Sequence, residues 1–276
     1  MNFSVYNNLP IGRVFTGIPV QTGHLTTPKS AEDRAALNYT LDNLLNKNVL
    51  TDIVRSNPVI SSILKTQNLR PELNIENFKR TTYRHSLDTR NYAVGIYNFL
   101  PADVKTEASV KYIQKGALLH DIGKVLIPQN ILNKHGRLTP KETDIMHLHS
   151  RLSEAILSTQ NIEPEVLNIV KYHHQNKAGS GYPEIKNSPF GYDINTEIVS
   201  LADKYSALTE KRMYKPQMSS DKALSILKQD VDNGNINPVA FDALVKFIHA
   251  GSKSGAVPMR ESYIQKGNQL KEMAIL

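Results

Sequence analysis

Apolar residues recur every three or four positions along most of this chain, the period of a helix that packs on one face. Leu37, Leu41, Leu44 and Leu45 form the first stripe, behind Ser30 as a helix N-cap with Glu32 and Asp33 in the opening turn. Ile53, Val54, Ile60, Ile63 and Leu64 predict a second helix from Thr51 to Gln67. Thr82 to Leu100 carries Leu87, Val94, Ile96 and Leu100 and stops at Pro101. Asp103 is expected to cap a helix bearing Val110, Ile113, Leu118 and Leu119. Pro128 starts a short turn with Ile131 and Leu132. Thr139, Pro140 and Glu142 spell a capping box with proline at the first helical position, opening a helix through Ile145, Met146, His149, Leu152, Ala155 and Ile156. Pro164 opens the next, through Val166, Ile169 and Val170 to His173 and His174. Beyond an irregular loop over 175–195, helices are predicted from Thr196 to Glu210, from Ser219 or Ser220 through Ala223, Ile226 and Leu227, and from Pro238 through Phe241, Leu244, Val245 and Ile248.

No pair of alternating runs flanks a hairpin turn, so the fold class is all-α. The division read from the chain is a flexible leader at 1–30, a small N-terminal helical extension at 31–70, a main helical domain at 75–250 and a tail at 251–276 that ends in one more helix.

Composition narrows the chemistry. The chain has 276 residues, 40% of them apolar and 21% charged, an ordinary globular balance with ample length for a core. It has no cysteine, so disulfides and thiolate metal sites are excluded and any metal must be held by His, Asp or Glu. The net charge of +7 favours anionic partners. Charge alone also describes a generally basic surface, and nothing else in the sequence argues for nucleic acid. No apolar run approaches the ~20 residues that span a bilayer, and the N-terminus lacks the pattern of a signal peptide. A cytoplasmic protein is expected; oligomeric state is left open.

His120 and Asp121, followed by Lys124, are the first chemically suggestive residues. Taken singly, each histidine of the chain is more often a core or surface residue than a ligand. The company changes that. His85 precedes the pair by one helix, His149 follows it by one, His173 and His174 end the next, and Asp203 lies in the helix after the loop. Helices of a bundle can each turn one residue toward a common centre. Imidazoles and carboxylates suit Fe, Mn, Zn, Co or Ni. His173 and His174 point about 100° apart on a helix, and can share a metal where the helix ends. His24, His135, His147 and His249 fit no such pattern and are read as non-ligands; His147 lies on another side of its helix from His149.

His120-Asp121 with Lys124 matches the core signature of the HD superfamily of metal-dependent phosphohydrolases. The stretch from His173-His174 through Gly179 and Gly181-Tyr182-Pro183 resembles the extended signature of its HD-GYP subfamily. Ile127-Pro128, Leu138-Thr139 with Glu142, and Ala202-Asp203 through Thr209 to Arg212 and Lys215 continue the register, so the resemblance spans roughly His85 to Asp230. It implies an HD-domain helical bundle over 75–250. It also implies two divalent metals, Fe or Mn: His85, His120 and Asp203 on one, His149, His173 and His174 on the other, and Asp121 bridging. It implies cleavage of cyclic di-GMP to the linear dinucleotide or on to GMP, by attack of a hydroxide held between the metals. Asp121 and Lys124 then serve catalysis. Lys124, Gly181, Tyr182, Arg212 and Lys215 meet the substrate, and the Gly-Tyr-Pro loop also offers a contact for a protein partner.

Three positions depart from the subfamily pattern. Gln175 stands where glutamate usually follows the paired histidines, Ala178 where an acidic residue precedes the first loop glycine, and Thr81 where three-metal members carry a glutamate. Thr81 is the reason to expect two metals. Gln175 and Ala178 keep open a weakly catalytic adaptor that binds nucleotide or protein, beside a hydrolase of another cyclic dinucleotide or of a nucleotide phosphate.

Overall fold

A computed structural model of the chain describes residues 41–186, 191–210 and 218–253. The leader, the start of the first stripe at Leu37, the expected terminal helix, Arg212 and Lys215 lie outside them. Among the described residues the regular structure is helical, with no strand. After a helical stretch at 41–44, the elements are α1 (Lys47–Ser56), α2 (Pro58–Lys65), α3 (Ile75–Thr81), α4 (Tyr83–Phe99), the short α5 (Ala102–Lys105) and α6 (Val110–Leu119). A 3-10 turn (Ile122–Leu126) and α7 (Gln129–Leu132) lead to α8 (Pro140–Leu157) and α9 (Pro164–Tyr172). α10 (Ile194–Thr209), α11 (Ser220–Asp232) and α12 (Pro238–Lys253) complete the bundle. None of the described helices is long and apolar enough to cross a membrane.

Two expectations are corrected. The single helix over Thr51–Gln67 is two, because Pro58 has no N–H to continue α1 and forces Asn57 into an extended conformation. Asn57 then caps α2 by accepting from the Val59 amide at 2.9 Å, while its own amide donates to the Ala155 carbonyl at 2.7 Å and ties α2 to α8. Asp103 caps nothing; it lies in the first turn of α5, and Ser109 caps α6 by accepting from the Tyr112 amide. The capping box of α8 forms as the sequence spells it. α10 starts two residues before Thr196, at Ile194, because the Asp193 carboxylate accepts from the Thr196 amide at 2.8 Å.

The apolar stripes gather into two clusters. One joins Leu41, Leu50, Ile60 and Leu64 to Leu118, Leu119, Ile145, Leu152, Val166 and Val170. The other joins Ala93, Ile96, Ile113 and Ala117 to Ile169, Ile198, Tyr205, Leu227 and Leu244. α6 and α9 contribute to both, so their C-terminal ends are fixed from two sides. Those are the ends that carry His120-Asp121 and His173-His174.

Candidate metal centre

His120 is the C-cap of α6, and at Asp121 the backbone leaves the helix for the 3-10 turn. His149 lies mid-way along α8, His85 near the start of α4, Asp203 in α10, and His173 caps α9 with His174 after it. Gly123 lets the turn press onto α8: a Cβ there would meet the His149 carbonyl oxygen at 2.2 Å, and the glycine amide donates to Ser153 Oγ at 2.8 Å.

The side chains that could hold a metal fall into three overlapping groups: Asp121 with His149, His173 and His174; His85 with His120 and Asp121; and His120 with His173 and Asp203. Together these are the seven ligands the resemblance implied, with no other residue among them. Asp121 stands between two sets. Its Oδ2 lies 3.2 Å from His120 Nε2 and 3.9 Å from His85 Nε2, while its Oδ1 lies 3.4 Å from His149 Nε2. Asp203 Oδ1 lies 2.8 Å from His85 Nε2 and 3.7 Å from His120 Nε2, and its Oδ2 lies 3.8 Å from His174 Nδ1.

Hydrogen bonding fixes what these rings can do. The Nδ1 atoms of His120, His149 and His173 sit 2.7, 2.7 and 2.8 Å from the carbonyls of Ala117, Met146 and Val170, each three residues back. A carbonyl only accepts, so Nδ1 carries the proton and the neutral ring offers a bare lone pair at Nε2. His149 Nε2 and His173 Nε2 face each other at 3.3 Å, lone pair toward lone pair. His120 Nε2 and Asp121 Oδ1 are buried without a hydrogen-bond partner. Such an arrangement is costly by itself and fits cations placed among these atoms. On the far side of His85, Nδ1 lies 3.2 Å from Ser206 Oγ and 3.7 Å from Glu210 Oε2, the backing often found behind a ligating histidine.

Burial pushes His149 down to about 4 and His173 down to about 3, so both are neutral donors at ordinary pH. Burial works to raise the Asp121 carboxyl, but His120 and Lys124 beside it hold it well below the usual range. Burial likewise works to lower His120, and the Asp121 carboxylate outweighs it, leaving the imidazole raised. The site favours positive charge between them.

Lys124 Nζ lies 2.6 Å from Asp121 Oδ2, so the ammonium rests on the carboxylate between the two sets. Tyr182 stacks on His147, with ring centroids 3.6 Å apart at 14°, and on His174, at 4.7 Å and 27°. The loop tyrosine therefore anchors onto imidazoles. Gly181 presses on the end of α9, where a Cβ would meet the His174 carbonyl oxygen at 2.2 Å. Thr81 is exposed and its hydroxyl donates to the Asn77 carbonyl at 2.8 Å, within its own helix. His135 and His249 are exposed and join no metal-holding group.

A family model described as HD domain matches residues 78–238, which span every one of these candidate ligands. The chain belongs to the HD domain family. A "Cyclic di-GMP phosphodiesterase" of Vibrio cholerae is 34% identical over 158 residues, covering 53% of this chain and 32% of that protein. A "3'3'-cGAMP-specific phosphodiesterase 1" of the same organism is 29% identical over 165 residues, covering 60% of this chain and 37% of that protein. The chain thus spans about a third of the length of these curated relatives. Among solved structures, the HD domain of the L. monocytogenes phosphodiesterase PgpH, in complex with cyclic-di-AMP, aligns with a TM-score of 0.46 at 22% identity, covering 64% of this chain and 93% of that one.

Within this HD domain, four residues that support the site carry little or no sign of it in the sequence: His147, Ser206, Glu210 and Gln175. His147 gave no signal beyond facing away from His149, yet it carries Tyr182. Glu210 marks only a helix end in the sequence pattern, and helical spacing sets it and Ser206 on the His85 side of α10. Gln175, a departure from the subfamily pattern, is buried and hydrogen bonded to both sides of Tyr182.

Proposed function

We propose that the chain hydrolyses a cyclic dinucleotide, cyclic di-GMP foremost, to the linear dinucleotide or GMP, at a pair of divalent metals. His85, His120 and Asp203 would hold one, His149, His173 and His174 the other, and Asp121 would lie between them. The observation that carries this reading is the Asp121 carboxylate, one oxygen toward His120 and His85 and the other toward His149, amid rings whose Nδ1 protons are already committed to backbone carbonyls. An oxygen and nitrogen donor set without thiolate fits Fe or Mn. When bound, such a pair activates water for in-line attack on phosphorus and offsets charge on the phosphoryl oxygens.

The chain's own residues supply the rest. Lys124, which rests on Asp121, would meet a substrate phosphoryl oxygen and donate a proton to the departing sugar oxygen. The carbonyl anchors hold three imidazoles in one orientation, so ligand geometry costs no reorganisation during turnover. Gly181 and Tyr182 line the loop beside His174, and Arg212 and Lys215 supply further positive charge for an anionic substrate. The activities for which the Vibrio relatives are named support this substrate class, and one of them favours a second reading, cyclic GMP-AMP. A protein partner at the Gly-Tyr-Pro loop and a cytoplasmic setting are compatible with such a signalling nucleotide.

The test is incubation of iron- or manganese-loaded full chain, prepared without oxygen, with cyclic di-GMP, cyclic GMP-AMP and nucleotide monophosphates, followed by chromatography. Linear dinucleotide or GMP, absent with Asp121→Ala, is expected. Two bound metals with no product from any cyclic dinucleotide would overturn the proposal.

A further inference from the structure

Three of the imidazoles at the centre are oriented by a backbone carbonyl three residues back, and His174 is not. Its Nδ1 faces Asp203 Oδ2 at 3.8 Å and its Nε2 faces His149 Nε2 at 3.0 Å. Beyond that contact with His149, packing holds its ring: His173 at 4.1 Å between centroids, and the stacked Tyr182 at 4.7 Å. The orientation of His174 therefore depends in part on where the loop puts Tyr182.

Gln175 fixes that loop. It is 1% exposed, and it reaches both sides of Tyr182. Its Oε1 accepts from the Gly181 amide at 3.0 Å and the Asn176 amide at 3.2 Å. Its Nε2 donates to the Pro183 carbonyl at 2.9 Å. Between these two bonds the Tyr182 amide donates to the His174 carbonyl at 3.3 Å, and Gly181 lies too close to that carbonyl for any side chain. Ser200 Oγ donates to the Gln175 carbonyl at 3.3 Å, so the brace itself is tied to α10. A carboxamide presents an acceptor and a donor from one planar group. A carboxylate would satisfy the Gly181 and Asn176 amides but set its second oxygen against the Pro183 oxygen, with no proton between them.

We infer that Gln175 is a positioning residue: its carboxamide locks residues 181–183 so that Tyr182 sets the ring of His174, and loop closure thereby tunes metal affinity. This rests on the reading of His174 as a metal ligand.

The test is hydrogen–deuterium exchange on the full chain, metal-free and manganese-loaded, with titration of manganese affinity, for wild type, Gln175→Glu, Tyr182→Phe and Tyr182→Ala. Gln175→Glu should speed exchange across 176–186 by about tenfold or more, one lost hydrogen bond's worth of opening, and leave peptides of α4 and α6 unchanged. It should weaken manganese binding by about tenfold, the lower end of the effect of removing a ligand's support. Tyr182→Phe keeps the stacking ring and should keep wild-type affinity, whereas Tyr182→Ala should match Gln175→Glu. Unchanged loop exchange in Gln175→Glu overturns the lock. A loosened loop with wild-type affinity overturns the coupling to His174. Should Gln175→Glu fail to fold, wild-type affinity in Tyr182→Ala overturns the same coupling. A wild-type chain that binds no manganese refutes the metal reading instead, while exchange in the metal-free chain still decides the lock.

Discussion

Replacing Gly123 with alanine puts a methyl group where α8 leaves no room. The new carbon would lie 2.2 Å from the His149 carbonyl oxygen, 2.5 Å from the Ser153 amide nitrogen and 2.9 Å from Leu152 Cβ. The first two are helix backbone and cannot rotate away. To restore an ordinary carbon–oxygen separation of about 3.3 Å, the 3-10 turn must retreat from α8 by about 1 Å. Asp121 heads that turn, and its Oδ1 lies 3.4 Å from the Nε2 of His149. The retreat therefore moves Asp121 away from His149, two of the proposed ligands. Overpacking of this kind costs about 1–3 kcal/mol of stability. A shift of about 1 Å among reacting groups costs about 100-fold in turnover. Gly95→Ala is the matched control: the nearest atoms its Cβ would meet belong to the Phe247 ring, at 2.4–2.6 Å, and it lies on α4 well along from His85. A ring can turn, and the helix gains roughly 0.5–1 kcal/mol from losing a glycine. Urea unfolding, metal content and kcat/KM on the cyclic dinucleotide should show Gly123→Ala impaired in all three and Gly95→Ala near wild type in the last two. Wild-type turnover by a folded Gly123→Ala would refute the claim that this close approach sets the site.

The other predictions separate the remaining parts. Lys124→Met should retain both metals but lose about 100- to 1,000-fold in kcat, measured on metal-loaded protein; loss of metal instead would make Lys124 a partner of Asp121 only. Asn57→Ala removes the α2 cap and the tie to Ala155, and should cost about 1–3 kcal/mol in urea unfolding with turnover of the folded protein unchanged. Hydrogen bonds from Lys111 and Lys115 hold the Glu163 carboxyl at about 2, against an ordinary 4.5. A depressed carboxyl stabilises above its unfolded value, and that contribution disappears as pH falls from 4.5 through about 2. Glu163→Gln should therefore lower the melting temperature at pH 7, by the equivalent of about 0.2–1 kcal/mol for such a partly exposed pair, and leave it unchanged near pH 2.

Legibility followed the physical range of each signal. Helix periods and the capping box of Thr139 and Glu142 depend on neighbours in sequence, and they placed α4, α8, α9, α11 and α12. Pro58 was equally local, and reading the apolar stripe across it produced one helix where there are two. The seven proposed ligands could be picked out because each pairs a distinctive residue type with a helix end or face, and the structure brings them together. Their supports were not. The carbonyls of Ala117, Met146 and Val170 carry no side-chain signature, and backbone geometry alone brings them to Nδ1. His147 and Gln175 act across a loop whose path no periodicity describes. A departure from the family pattern at Gln175 looked like a weakness of the site, yet in three dimensions its extra donor is satisfied by Pro183.

Seven side chains on five helical segments are arranged as a candidate centre for two cations. Elemental analysis of the full chain, purified without oxygen and freed of loosely bound ions, tests it most directly. Two transition-metal ions per chain are expected, with loss of both in Asp121→Ala and loss of one in His85→Ala. A wild-type chain that holds none, or an Asp121→Ala variant that holds as many as wild type, would contradict it.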